Sequence, residues 1–245
     1  MLMRPLIDQA DYYNKRWAAF KYINLYSLER CIFVLRSICD LGLKDPRICD
    51  LGCGAGWLSG ILSTIGPTVG VDLSPEAVER ATERYPDVHF ICADAVEWQP
   101  VTHGFDIVVS QEVIEHISDK RAYLAVVHRA LRPGGYLVMT TPNLDVLNAV
   151  RTARRKAVWE IQPVELPLTR SELNKLLSEC GFQVLSYASV LTGCGTLGFQ
   201  RLLNSSKLDS LLSVCGLAKA WRRFLGRAGY GMYLTTVAQA VHRPS

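Results

Sequence analysis

The stretch ICDLGCGAG, residues 48–56, decides the fold: a short apolar run ends in Asp50, and Gly52, Gly54 and Gly56 follow before a helical run from Trp57 to Ser63. A glycine-rich turn at the carboxyl end of a first strand is a nucleotide site in a doubly wound sheet. A dinucleotide fingerprint needs Gly or Ala at its sixth position, so that helix and strand pack closely beside a pyrophosphate. Here Trp57 stands there, and Asp50 would repel the phosphates. An acidic strand end instead favours a nucleoside that carries positive charge, with the glycines serving close backbone approach. Alone, this GxGxG is weak evidence, since a plain tight turn accounts for it equally.

Outward from this turn, β-rich runs at 47–50, 68–72, 88–92, 105–110, 135–141, 182–188 and near 232–241 alternate with helical patterns. That alternation predicts βαβ units, a parallel sheet and the α/β class. The helix predicted over 75–84 opens on Ser74-Pro75-Glu76, a cap residue followed by proline at the first helical position. Another, over 119–131, ends at Arg132-Pro133-Gly134-Gly135, where Gly134 supplies the positive φ of a tight turn. Asp72 ends the second strand, twenty residues beyond Gly52, where a carboxylate accepts from ribose hydroxyls. Asp94, in ICADAVEW (91–98), ends the third, where it can accept from an adenine amino group. FDIVVSQEVIEHI (105–117) ends the fourth, and LRPGGYLVMTTPN (131–143) covers the turn and the fifth. A lone acidic strand end is more often a cap or a solvated charge. Four such sites in sheet order give the pattern its weight.

In this order and spacing the motifs resemble class I S-adenosylmethionine (SAM)-dependent methyltransferases, in particular the broad group that includes the ubiquinone-biosynthesis O-methyltransferases. The resemblance covers about residues 30–188. It implies a Rossmann-like seven-stranded methyltransferase sheet with helices on both faces, a last strand running antiparallel, and a helical insertion or lid over 190–230 before that strand. An N-terminal helical cap, 1–30, would precede a methyltransferase domain, 31–245. The cofactor implied is SAM. Gly52 and Gly54 would approach its methionine part, Asp72 its ribose, and Asp94 with the Ala95 backbone its adenine. Gln111 would lie beside the sulfonium, with Asp50, Cys53 and Leu73 completing the set.

Methyl transfer is an in-line displacement at an activated sulfonium, so the enzyme aligns a nucleophile and removes its proton. Glu112, Glu115 and His116 follow the fourth strand and are the catalytic candidates, with Glu112 within one helical turn of the other two. A helix-start histidine bonded to a carbonyl and glutamates favoured by a helix N-terminus explain the same residues without function. In some relatives, including small-RNA 3′-end methyltransferases, the E-x-x-E-H pattern binds a divalent metal with a further downstream histidine. Here WEIQPVELPLT (159–169) offers Gln162 and Glu165, and the only histidine after position 128 is His242, so no metal is assigned. In DYYNKRW (11–17), Tyr12, Tyr13 and Trp17 are candidates to cover the cofactor, although an aromatic patch packed on the domain is the commoner explanation.

The 245 residues carry a net charge of +4. From Val190 onward seven Lys/Arg face Asp209 alone, so that quarter is +6 and the rest −2. The insertion reads as two helices: Leu208, Leu211, Leu212 and Cys215 form one apolar face, Gly216 stops it, and Leu217, Trp221, Phe224 and Leu225 form the next. Basic residues there, with Arg151, Arg154, Arg155 and Lys156, favour an anionic or membrane-bound acceptor, with peripheral membrane contact through 201–227. Eight scattered cysteines without a CxxC pair predict reduced thiols, and no signal-like or spanning apolar run is evident, so a soluble, cytoplasmic protein is expected. The expected function is O-methylation of a small-molecule or lipid-like acceptor. RNA 3′-end methylation is the alternative, disfavoured by the missing histidine, and a non-catalytic SAM-binding subunit is another.

Overall fold

Strand side chains alternate between two faces, and here both faces are apolar, which demands helices on each side. The computed structural model describes residues 9–18, 23, 25–153, 164–190 and 206–241. Among them seven strands form one sheet: β1 (Ile48–Leu51), β2 (Thr68–Asp72), β3 (His89–Cys92), β4 (Phe105–Gln111), β5 (Leu131–Pro142), β6 (Phe182–Val190) and β7 (Tyr233–Ala240). Their order is β3-β2-β1-β4-β5-β7-β6. The pairs among β1 to β5 are parallel, and β7 runs antiparallel to both of its neighbours.

The described helices are α1 (Gln9–Ala18), α2 (Leu25–Asp40), α3 (Trp57–Leu62), α4 (Pro75–Arg84), α5 (Lys120–Ala130), α6 (Leu144–Ala153), α7 (Arg170–Glu179), α8 (Ser206–Val214) and α9 (Ala218–Arg227). On one face Cys31, Val34 and Ile38 of α2 and Trp57, Leu58 and Leu62 pack on Ile48, Ile107, Val109 and Val138. On the other, Tyr123, Leu124 and Val127 of α5 and Leu173 and Leu177 of α7 pack on Cys49, Val108, Leu137 and Met139. Each fully buried Leu or Ile contributes about 1.5–3 kcal/mol, so the two layers hold the strand ends in place.

Local signals set the helix starts. The Ser74 side chain accepts from the Ala77 amide with Pro75 next to it, and Thr169 with Glu172 closes a capping box on α7. The predicted turn at 132–135 lies inside the span of β5. Pairing passes from Phe105–Leu131 directly to Ile107–Tyr136, so Arg132 to Gly135 loop out, with Gly134 at φ 74°.

Three features bear on the expectations from sequence. First, α2 runs unbroken from Leu25 to Asp40, across the position expected to separate the cap from the domain. Its apolar face is continuous and packs on the sheet. Second, α8 and α9 do interrupt the β6–β7 connection, but α9 packs on β6, the edge strand, away from the strand ends that begin the sheet. Third, Arg154, Arg155, Lys156, Gln162, Cys194, Arg201 and His242 lie outside the described residues, as does the Arg151 side chain. No described helix is long and apolar enough to cross a membrane.

Candidate active site

The carboxyl ends of β1 to β4 border a cavity of about 560 Å³, within the usual range for small-molecule sites. Of the twelve site residues expected from sequence, eleven line it: Asp50, Gly52, Cys53, Asp72, Leu73 and Asp94, then Ala95, Gln111, Glu112, Glu115 and His116. Gly54 does not, because the Trp17 indole covers it: a Cβ there would lie 2.2 Å from Trp17 Cζ2. Gly52, Gly54 and Gly56 have φ of 82°, 53° and 74°, the left-handed region that glycine tolerates. A Cβ on Gly52 would meet Val113 at 2.3 Å. These glycines therefore serve the chain's own packing as well as clearance for a ligand.

The loop amides are turned inward. Gly52 and Cys53 donate to the Val71 carbonyl at 2.7 and 3.0 Å, and Gly56 donates to the Cys53 carbonyl at 3.1 Å. The Gly54 and Ser74 amides donate to the two oxygens of Asp72 at 2.7 and 2.9 Å. A pyrophosphate cradle needs such amides aimed at the ligand, so this turn does not make one. Each Asp72 oxygen keeps a further lone pair that suits a ribose diol. Asp50 is 1% exposed and accepts from Ser59 Oγ at 2.6 Å; burial pushes its carboxyl up to about 7. Asp94 Oδ1 accepts from the Val96 amide at 2.7 Å, fixing the turn that brings Ala95 to the cavity. Gln111 Oε1 is buried and has no hydrogen-bond donor among the described residues. Acids at three strand ends, a diol-competent carboxylate and an orphaned amide oxygen fit a cofactor with an ammonium, a ribose and no phosphate.

The E-x-x-E-H segment is not the helical turn its spacing suggested. Glu112 has φ 59°, outside the α region, and only Ile114–His116 make a single 3₁₀ turn. The cause lies in β5. Thr140 Oγ1 donates to Glu112 Oε1 at 2.9 Å, and Thr141 Oγ1 donates to Glu115 Oε2 at 2.9 Å. The two carboxyls are thereby drawn inward instead of facing solvent at a helix start. Burial holds Glu112 up to about 7; burial and the neighbouring Glu112 raise Glu115 well above the usual carboxylate range. His116 Nδ1 lies 2.9 Å from the Val164 carbonyl, which can only accept, so Nδ1 carries the proton and Nε2 the lone pair. Nε2 lies 3.7 Å from Glu115 Oε1, and burial lowers the histidine's pKa. Among the described residues no group of three or more His, Cys, Asp or Glu is placed to hold a metal ion.

Helix α1 covers the cavity. Gln9 Nε2 donates to the His116 carbonyl at 2.8 Å, Asn14 Oδ1 accepts from Ser74 Oγ at 2.5 Å, and Tyr13 and Trp17 line the space between. Tyr12 packs edge-on against Tyr13 with ring centroids 5.3 Å apart. No described residue of α8 or α9 lines the cavity, and among the described residues its cover comes from α1. Sequence reading also missed Arg30, Thr140, Thr141 and Tyr233. The two threonines stood in a motif already quoted, but nothing in a strand pattern says which glutamates they meet.

A family profile described as "Methyltransferase domain" matches residues 27–187. A ubiquinone biosynthesis O-methyltransferase of Ruegeria pomeroyi is 30% identical over 138 residues, 51% of this chain and 56% of that protein. A trans-aconitate 2-methyltransferase of Rhodopseudomonas palustris is 30% identical over 166 residues, 65% of this chain and 64% of that protein. The chain thus spans less than two thirds of the length of these curated relatives. In fold it is similar to an N-methyltransferase of Bradyrhizobium japonicum solved with S-adenosyl-L-homocysteine (TM-score 0.65, 16% identity, 96% of this chain and 100% of that one). It is similar also to a SAM-dependent methyltransferase of Mesorhizobium loti (TM-score 0.57, 21% identity, 84% and 97%).

Proposed function

This chain belongs to the methyltransferase-domain family of SAM-dependent proteins, and we propose that it transfers a methyl group from SAM to an oxygen of a small-molecule or lipid-like acceptor. The observation that carries this reading is His116, which lines the cofactor cavity with its tautomer set by Val164 and its pKa lowered by burial. SAM, when bound, supplies a methyl already activated by sulfonium charge, which leaves orientation and proton removal to the protein. His116 Nε2 accepts the acceptor hydroxyl's proton, and the imidazolium so formed lies 3.7 Å from Glu115. Asp72 would hold the ribose, Asp94 the adenine amino group, and Gln111 Oε1 would serve the sulfonium end. Tyr13 and Trp17 keep water from the reacting atoms. A nearby neutral base is what an alcohol or phenol requires, and this favours oxygen as the nucleophile.

We also propose that α8 and α9 touch an anionic lipid surface. Leu211, Val214, Leu217 and Phe224 are exposed by 62%, 88%, 55% and 57%. Exposed Lys207, Lys219, Arg222 and Arg223 lie on the same two helices, a combination suited to headgroup contact.

The test uses methyl-tritiated SAM with separate pools of small metabolites, lipids and RNA. Label is expected in the metabolite or lipid pool. Asp72→Ala should weaken S-adenosyl-L-homocysteine binding by about tenfold to a hundredfold, the worth of hydrogen bonds to a charged group. Cofactor binding with no transfer to any pool would identify a non-catalytic subunit, and label in RNA alone would overturn the acceptor class.

A further inference from the structure

Beyond the cofactor's residues, the cavity continues under β5 and β7, where Arg30 of α2 lines it beside Tyr26, Pro142, Leu147 and Tyr233. The Arg30 side chain is 9% exposed. A guanidinium cannot shed its charge, so burying it is costly unless each N–H finds an acceptor. Here the match is incomplete. Nη2 donates to Ser27 Oγ at 3.2 Å, and Nε stands 3.8 Å from Glu112 Oε1, too far for a hydrogen bond. Nη1 is buried with no acceptor among the described residues. The Tyr233 ring, 4.4 Å from the guanidinium carbon, adds a π contact. Glu112 Oε1, the oxygen that accepts from Thr140 Oγ1, therefore gives Nε an ion pair without a hydrogen bond and leaves Nη1 unmatched.

We infer that Arg30 and the Tyr233 ring form an anion subsite that receives a carboxylate of the methyl acceptor, rigidly held on an aromatic or aliphatic body. This rests on the methyltransferase reading of the cavity and names its substrate class. Nη1 would donate to one carboxylate oxygen and Nη2, through the N–H that Ser27 leaves, to the other, the end-on paired geometry that guanidinium favours. A singly charged group fits better than a phosphate dianion, because among the described residues Arg30 is the one buried cation on this wall while Glu112 and Glu115 stand next to it. Tyr26, Pro142 and Leu147 supply the apolar walls for the body of the molecule. The position also suits the chemistry. The subsite lies toward β5 and β7, whereas the cofactor residues come from β1 to β4, so an acceptor held there reaches across Glu112 and His116 toward the methyl position.

The experiment titrates 4-hydroxybenzoate and its uncharged counterpart 4-hydroxybenzamide into the full chain saturated with S-adenosyl-L-homocysteine, followed by calorimetry. The acid should bind about tenfold more tightly than the amide. In Arg30→Gln that preference should vanish while affinity for S-adenosyl-L-homocysteine stays within twofold. Arg30→Lys, which keeps the charge but not the paired donors, should retain part of the preference and shows that loss in Arg30→Gln is not misfolding. Equal binding of acid and amide by the parent chain, or an unchanged preference in Arg30→Gln, overturns the subsite. Failure of the parent chain to bind S-adenosyl-L-homocysteine instead overturns the methyltransferase reading beneath it.

Discussion

Glu112 and Glu115 were readable as a pair, yet their spacing pointed to the wrong geometry. Three residues apart on a helix they would share one exposed face; in the fold each is bonded to a threonine of the neighbouring strand. Nothing local distinguishes these outcomes, because the deciding hydroxyls lie 28 and 26 residues away. His116 was legible as a candidate base, but its tautomer depends on the Val164 carbonyl, 48 residues on. This arrangement has a pH consequence. The base works unprotonated, and burial lowers its pKa from 6.5. The rate should therefore rise as pH is raised through a value below 6.5 and be level by neutrality. His116→Gln should lower kcat by about 10²–10⁴-fold and abolish that acid limb. Affinity for S-adenosyl-L-homocysteine should be little changed. A kcat–pH profile of the two proteins checks both points, and an acid limb retained in the variant would assign the proton to another group.

At the scale of elements, α1 illustrates how aromatic content can be seen without its destination. Tyr13 and Trp17 stood out in the sequence, and only the fold sets Trp17 on Gly54 and ties Gln9 and Asn14 to either side of the cavity. None of the α1 side chains is fully buried, so the helix adds little to the core and much to closing the site. Trp17→Ala is expected to speed dissociation of S-adenosyl-L-homocysteine roughly tenfold, in line with loss of one large aromatic contact. The thermal midpoint should move by no more than about 2–4 °C, the shift produced by about 1 kcal/mol in a chain of this size. Stopped-flow displacement and calorimetric melting separate the two effects. A large fall in melting temperature with unchanged release would make α1 a structural element instead.

On the scale of the whole molecule, α9 packs on the outer edge strand and α8 on α9, and apolar residues of the pair stay exposed with basic residues in the same region. Vesicles containing phosphatidylserine should sediment the protein, and neutral vesicles should not. The double variant Lys219→Glu, Arg223→Glu should bind at least tenfold more weakly, since each cation near such a surface contributes about 1 kcal/mol. Equal sedimentation with both vesicle types would remove the anionic-surface proposal. The strand sequence, the glycine turn and the acids at successive strand ends follow from the chain alone, because periodicity and turn chemistry are local and the alternation of strands and helices permits few topologies. Those features determined the fold class and the cofactor. Which residues complete the site was decided only in three dimensions. Arg30, Thr140, Thr141 and Tyr233 come from a helix and strands far apart in sequence, each ordinary in its own segment. They acquire chemistry only when burial removes the water that would otherwise satisfy them.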